Sequence, residues 1–439
     1  MTASPDGLQI ALSGDCLITR KTSIYQDQPT LDLIRLIHEA DVSFTNLEVL
    51  PNDFAGYPAT EAGGAHLGTH SWVLDELIAM GFNLYACANN HSLDFSIEGL
   101  LAAIDVLDDR GVAWAGVGEH LAESRMPVYL DTPAGSVAMI SCSSTFATGQ
   151  EAGEQRPDFQ GRPGLNPLRF STEYHVTAEH MAAIQDMADR LGVEAERQER
   201  VRRGFGHDPE DPDIFPYLGH NYRVSETLGV HHKCNPGDLA EILKWVREAR
   251  RRADVVIVSL HAHENGSDRE DPADFIREFA HAVIDEGADM LAGHGPHLLR
   301  PIEIYHGKPI FYSLGNFVGQ NELLYKLPAD TYQQFKIDPD LAPGEMFRIR
   351  SQEDTKGFPA DIRYWQAILP RLTYDADYNL TGIDLYPVTL SRNDASHRRG
   401  RPKLATGDEA TEILERLAEL STSSGTTLEI DGEIARVRL

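Results

Sequence analysis

In the first part of the chain, short apolar runs alternate with stretches where apolar residues recur every three or four positions. The two periods predict alternating strands and helices. LQIALSGDC (8–16) reads as a buried strand, TLDLIRLIHEA (30–40) as a helix with Thr30 as its N-cap, and DVSFTNLEV (41–49) as a second strand. SWVLDELIAMG (71–81) predicts a helix ended by Gly81, and NLYACANN (83–90) a strand. SIEGLLAAIDVLDDRG (96–111) predicts a helix ended by Gly111, and VAWAGVG (112–118) another strand. This β-α repetition predicts a sheet with helices on its faces.

A hairpin follows at 127–144, turning at DTPAG. The rhythm then breaks over 145–236, a stretch rich in Gly, Pro, Arg and His with one charged helix near 176–203. It resumes with a helix (237–252), the strand DVVIVSL (254–260), a helix (273–286) and the strand DMLAG (289–293). PIEIYHGKPIFYSLGN (301–316) predicts a hairpin with a tight HGK turn. After a second irregular stretch, 320–360, come strands near 364–390, a helix near 407–421 and a hairpin around Asp431-Gly432. The expectation is one α/β domain over 1–439, with 145–236 and 320–360 as insertions overhanging the site.

Charge narrows the partners. Asp and Glu number 68 against 39 Lys and Arg, a net charge of −29 over 439 residues. Such a surface repels nucleic acid and anionic membranes and suits a cation. Cys16, Cys87, Cys142 and Cys234 form no CxxC pair, and three lie in apolar runs, so they read as buried thiols. The opening MTASPDGLQIAL has no basic segment followed by an apolar stretch, and no apolar run has membrane-spanning length. A cytoplasmic, reducing location is expected.

Five polar segments stand just after predicted strands, where α/β folds build sites. They are Gly14-Asp15, Asn46-Leu47-Glu48, Asn89-Asn90-His91 with Asp94, His261-Ala262-His263-Glu264 and His294-Gly295-Pro296-His297. Each alone also reads as a turn, a cap or an amphipathic strand. Together they supply a mixed nitrogen and oxygen donor set for a divalent cation: Ca, Mn, Zn or Mg. His261 and His263, two apart, share one face of a strand, and Gly-Pro between His294 and His297 can aim both rings at one point. No P-loop or Rossmann fingerprint is present, so no organic cofactor is expected.

The order GD, NLE, NNH-SLD, SLHAHEN, GHGPH, YSLGNF resembles the CapA (poly-γ-glutamate biosynthesis) family of the calcineurin-like metallophosphatase superfamily, over about residues 8–318. The resemblance implies an α/β fold, a four-layer α/β/β/α sandwich with the site at the strand ends. It implies Asp15, Glu48, Asn90, His261, His294 and His297 as metal ligands, and His91 as the acid–base group beside the metal, its ring oriented by Asp94. The chain departs from the family pattern at three places. Asp15 is followed by Cys16 and Leu17 rather than by a spaced histidine, the His-Trp-Gly-x-Glu segment is replaced by His261-Ala-His263-Glu264, and Asn46-Leu-Glu48 stands where GDxxD is usual. These departures imply a weakened metal position, a single or harder ion such as Ca²⁺, and less suitability for phosphoester hydrolysis.

On that basis the chain is similar to the epimerases of some lasso-peptide pathways. The expected reaction is metal-assisted inversion of a Cα centre in a precursor peptide, at its C-terminal residue. His91 with Asp94 would serve one face, and a histidine among His261, His263, His294 and His297, paired with a carboxylate such as Asp15, the other. The alternative is a metal-dependent hydrolase or transferase of amide, γ-glutamyl or phosphoester bonds. For substrate binding, Arg162 and Arg169 are expected to grip a peptide carboxylate and His220 and His232 to line the pocket. Ser313–Asn316 are expected to support the His-x-x-His turn.

Overall fold

Two sheets face each other, because strands that alternate side chains at period two bury both faces here. The structure, a computed structural model, describes residues 7–439, so the start of the opening segment lies outside the described residues. In the larger, ten-stranded sheet, Leu8–Leu17 runs parallel to Val42–Asn46, which continues through Leu84–Ala86 to Ala113–Ala115. The other edges of Leu8–Leu17 pair with Asn316–Gly319 (parallel) and Gln366–Tyr374 (antiparallel). The smaller, six-stranded sheet has a parallel centre of Gly135–Ser143, Val255–His261, Met290–His294 and Lys308–Phe311.

Between the sheets, Leu8, Ile10, Leu12 and Phe44 meet Met139, Ile257 and Ala292 in one core. The opposite face of the larger sheet packs against helices Gln28–His38, Trp72–Ala79 and Ser96–Asp109 through Ile37, Leu77 and Leu100. Val256 and Val258 point the other way, onto helices Pro236–Arg250 and Asp274–Glu286. The result is the expected four-layer α/β/β/α sandwich.

Several local expectations are corrected. The first helix is capped by Asp27, not Thr30, which lies inside the helix and donates to Asp27 Oδ1 at 2.9 Å. The charged helix near 176–203 is two helices, Ala178–Leu191 and Val193–Arg202, because Gly192 between them adopts φ +74°. The stretch 145–236 is not irregular. It builds its own four-stranded sheet in the order Ile214–Tyr217, His220–Val224, Phe170–Val176, Gly229–Cys234. The HGK hairpin turns at His306 (φ +49°) and Gly307 (φ +76°), positive values that suit the right-handed twist of its strands. All four cysteines are buried and free. Among the described residues no helix is long and apolar enough to cross a membrane.

Candidate metal centre

Register brings the donors together. Asp15 pairs with Asn46 across one sheet, and His261 pairs with His294 and Ser143 across the other. These positions end the parallel strands of both sheets, so the donors of two layers converge on one buried spot. Asp15, Glu48, His261 and His294 have no measurable exposure, and His297 is 7 % exposed. Three sets of donor atoms lie within 4.8 Å of one another: Asp15, His261 and His294; Glu48, His261 and His263; Asp15, Glu48 and His297.

Asp15 is fixed by its neighbours. Its Oδ1 accepts from Asn46 Nδ2 at 2.8 Å and its Oδ2 from the Gly295 amide at 3.0 Å. Burial alone would raise its pKa, but His297, His261 and His294 outweigh burial and hold the carboxyl far below the usual range. Glu48 is the opposite case. Neither of its oxygens has a hydrogen-bond partner, although His261 Nε2 lies 3.7 Å and His297 Nε2 3.6 Å away. Burial, and then the negative charge of Asp15, push its pKa well up. A carboxyl that is buried, unpartnered and facing imidazoles is costly unless a cation completes it.

The imidazoles form a chain. Ser259 Oγ meets His294 Nε2 at 2.7 Å, His294 Nδ1 meets His261 Nδ1 at 3.0 Å, and His261 Nε2 meets His263 Nε2 at 3.1 Å. In a neutral chain each ring donates once and accepts once, so a cation that takes a nitrogen must replace a hydrogen bond of the chain. Burial holds the rings in that neutral, ligand-competent form. His294 is lowered to about 4, and His261 and His263 are lowered well below their ordinary value by burial and by the neighbouring rings. The donor groups therefore fit a divalent cation, which would be held by three or more of Asp15, Glu48, His261, His263, His294 and His297.

The turn that aims His297 requires unusual backbone. His297 itself has φ +64°, and Gly295 has φ +117°. A Cβ on Gly295 would sit 2.9 Å from the Ala262 nitrogen and 3.0 Å from His263 Cδ2. Gly295→Ala is therefore expected to destabilise the fold by at least ~1 kcal/mol, read by thermal denaturation, and to weaken metal uptake by displacing His263.

Partners outside the donor set orient the rings. Asn316 Oδ1 lies 2.9 Å from His297 Nδ1, as expected for the Ser313–Asn316 segment. Ser259 was not anticipated, although it precedes His261 by two and so shares its strand face. Arg300 was also missed. It is fully buried and donates to the carbonyls of Arg269, Ala262, His263 and Glu264, holding the loop that carries His263. Cys16 is no ligand, since its Sγ packs on Thr45 Oγ1 at 2.9 Å and burial raises its pKa.

His91 stands beside this centre. Its Nδ1 lies 2.7 Å from Asp94 Oδ2, which also accepts from the Leu67 amide, so Nε2 is the nitrogen left for chemistry. Asn90 is buried with both amide atoms unpartnered and presses on Gly63, where a Cβ would fall 1.9 Å from its Nδ2. His91 and His297 open onto a cavity of about 210 Å³ that also takes its walls from 63–67 and 347–359.

The four residues expected to bind substrate are not among those lining this cavity. Arg162 donates to the Glu151 carbonyl at 2.9 Å. Arg169 forks onto Asp238 at 2.7 and 2.8 Å, a buried carboxylate that needs it. His220 packs edge-on against Tyr174, and His232 against Phe170, both within the 145–236 sheet. Of the two insertions, 320–360 lines the cavity, while 145–236 reaches the centre through Thr145, which accepts from the His263 amide at 2.8 Å.

Two facing sheets gather carboxylate and imidazole donors at their strand ends, the arrangement of a candidate metal centre. The chain belongs to the bacterial capsule synthesis protein family PGA_cap, whose model matches residues 9–321. The uncharacterized protein y4sH of Sinorhizobium fredii is 34 % identical over 445 residues, covering 99 % of this chain and 94 % of that one. The PGA biosynthesis protein CapA of Bacillus subtilis is 22 % identical, covering 86 % of this chain and 85 % of its own. A Staphylococcus aureus structure, provisionally assigned as a 5′-nucleotidase and solved with alpha-ketoglutarate, aligns over 95 % of this chain and 58 % of that one. Its identity is 11 % and its TM-score 0.38, too distant to bear on the chemistry.

Proposed function

We propose that the protein is a metal-dependent hydrolase or group-transfer enzyme acting on amide-type bonds, γ-glutamyl linkages included, with phosphoesters the neighbouring possibility in the same class. The observation that carries this is Glu48, whose buried and unpartnered carboxyl faces the histidine cluster directly beside the His91–Asp94 pair. A divalent cation bound there supplies Lewis acidity and lowers the pKa of water. Asp15, fixed by Asn46 and the Gly295 amide, holds negative charge at the centre. His91, its ring set by Asp94, holds or moves a proton at Nε2 for the attacking or leaving group. The Bacillus subtilis relative is named for PGA biosynthesis, which supports a reading on γ-glutamyl linkages.

Peptide epimerisation remains a second reading for one reason: both His91 and His297 line the cavity, and inverting a Cα centre needs two acid–base groups. The separating experiment incubates metal-loaded protein in D₂O with γ-glutamyl and α-peptides and aryl phosphates, followed by mass spectrometry. Bond cleavage or transfer without deuterium at carbon is the expected result. One deuteron gained at an intact Cα would overturn the hydrolase reading in favour of the epimerase.

Glu48 gives an independent check. Its folded pKa lies above the ordinary value near 4.5, so the stability it contributes is present below that value and is lost as pH rises above it. Stripped of metal at pH 7, Glu48→Gln should be more stable than the unmodified protein by ~1–3 kcal/mol, with the gap closing toward pH 4. With metal present the order should reverse. Paired melting curves at the two pH values test this.

A further inference from the structure

The cavity beside the centre is lined by three cations that have no salt-bridge partner among the described residues. Arg269, Arg350 and Lys356 line it, and among the described residues none of the three pairs with a carboxylate within 4.0 Å, although Arg350 lies 4.0 Å over the Phe335 ring and near the charge of Glu322. The one carboxylate in the lining, Glu322, is held by Arg399 at 2.8 Å. In a chain of net charge −29, three unpaired cations around one cavity are an unusual local concentration. The same walls are aromatic: Phe358 packs edge-on against His297 at 4.9 Å and stacks on Tyr364 at 4.3 Å, and the Arg269 guanidinium lies 5.4 Å over Tyr364. Arg350, Lys356 and Phe358 all come from the stretch beyond residue 321, where the family model ends.

We infer that Arg350 and Lys356, with Arg269, form an anion subsite that seats an acidic group of the substrate, while Phe358 and Tyr364 receive its apolar or planar body, presenting the bond beside it to the metal centre. The anion is a carboxylate or a phosphate, the two oxyanions that guanidinium and ammonium groups share. This names the substrate class of the site assigned above and rests on that assignment for the reaction, though not for the binding. The specificity of the chain then resides in a segment outside the matched family region, and its substrates are acids rather than neutral amides.

The test is binding, read without turnover. Saturation-transfer NMR is measured with N-acetylphenylalanine, its uncharged amide and phenyl phosphate, which share a phenyl body. The metal-loaded protein is compared with Arg350→Met and Lys356→Met. The anions should bind, the amide should not compete, and each variant should bind the anions roughly ten- to a hundredfold more weakly with metal content unchanged. Tighter binding of phenyl phosphate through the same residues keeps the subsite and assigns it to phosphate. Tighter N-acetylphenylalanine assigns it to carboxylate. Equal binding of the amide, or unchanged anion affinity in both variants, would overturn the inference. Anion binding that survives when no bond is cleaved in the D₂O panel would discard the reaction and leave the subsite standing.

Discussion

His261→Ala is expected to abolish stoichiometric binding of a divalent cation and, with it, turnover. His261 belongs to two of the three donor sets, and its two nitrogens touch His294 and His263 at 3.0 and 3.1 Å. Removing it takes away a donor and cuts the imidazole chain into two parts. The loss in affinity should exceed the roughly 10–100-fold that removal of a mere supporting partner costs. The expected control is Ser259→Ala, which removes only the partner of His294 Nε2 and should fall within that smaller range. Metal analysis after gel filtration reads both. His261→Ala protein that keeps one equivalent of ion would place the centre elsewhere.

His91→Asn should lower turnover by about 10²–10⁴-fold while leaving metal content and melting temperature close to normal. The ring lies outside the donor sets, and its Nδ1 is already committed to Asp94 at 2.7 Å. A general acid or base is lost without disturbing the ion. Asp94→Asn should cost less in rate than His91→Asn, because it alters orientation and leaves the imidazole in place. It should cost more in stability, because Asp94 Oδ2 also accepts from the Leu67 amide at 2.6 Å. Equal metal loss in the two variants would show that His91 is a ligand rather than an acid–base group.

The layers and the donors were legible for the same reason. Buried parallel strands write themselves as apolar runs such as DVVIVSL, and a polar residue ending such a run stands where α/β folds build sites. Asp15, Glu48, His261 and His294 were therefore readable as a set rather than one by one, and the register of each sheet supplies their meeting. The period-two rule also reaches Ser259 from His261, which the reading passed over. The cavity was not legible. Phe358 meets His297 across 61 positions of chain, and no local period encodes a contact of that separation. The partners of the arginines were not legible either, for a related physical reason. Arg162 and Arg169 look available in a Gly- and Pro-rich stretch, yet a buried Asp238 and an open Glu151 carbonyl already take them. Arg350 and Lys356, in a stretch read only as irregular, line the cavity without a salt-bridge partner among the described residues.

The most direct measurement is calorimetric titration of chelator-stripped protein at pH 7 with Mn²⁺, Zn²⁺, Mg²⁺ and Ca²⁺ in turn, repeated in buffers of different ionisation enthalpy. The buried histidine cluster and the raised Glu48 carboxyl predict stoichiometric binding of at least one ion, with proton release from Glu48. Folded protein that binds none of the four would contradict the metal centre on which the proposed chemistry depends.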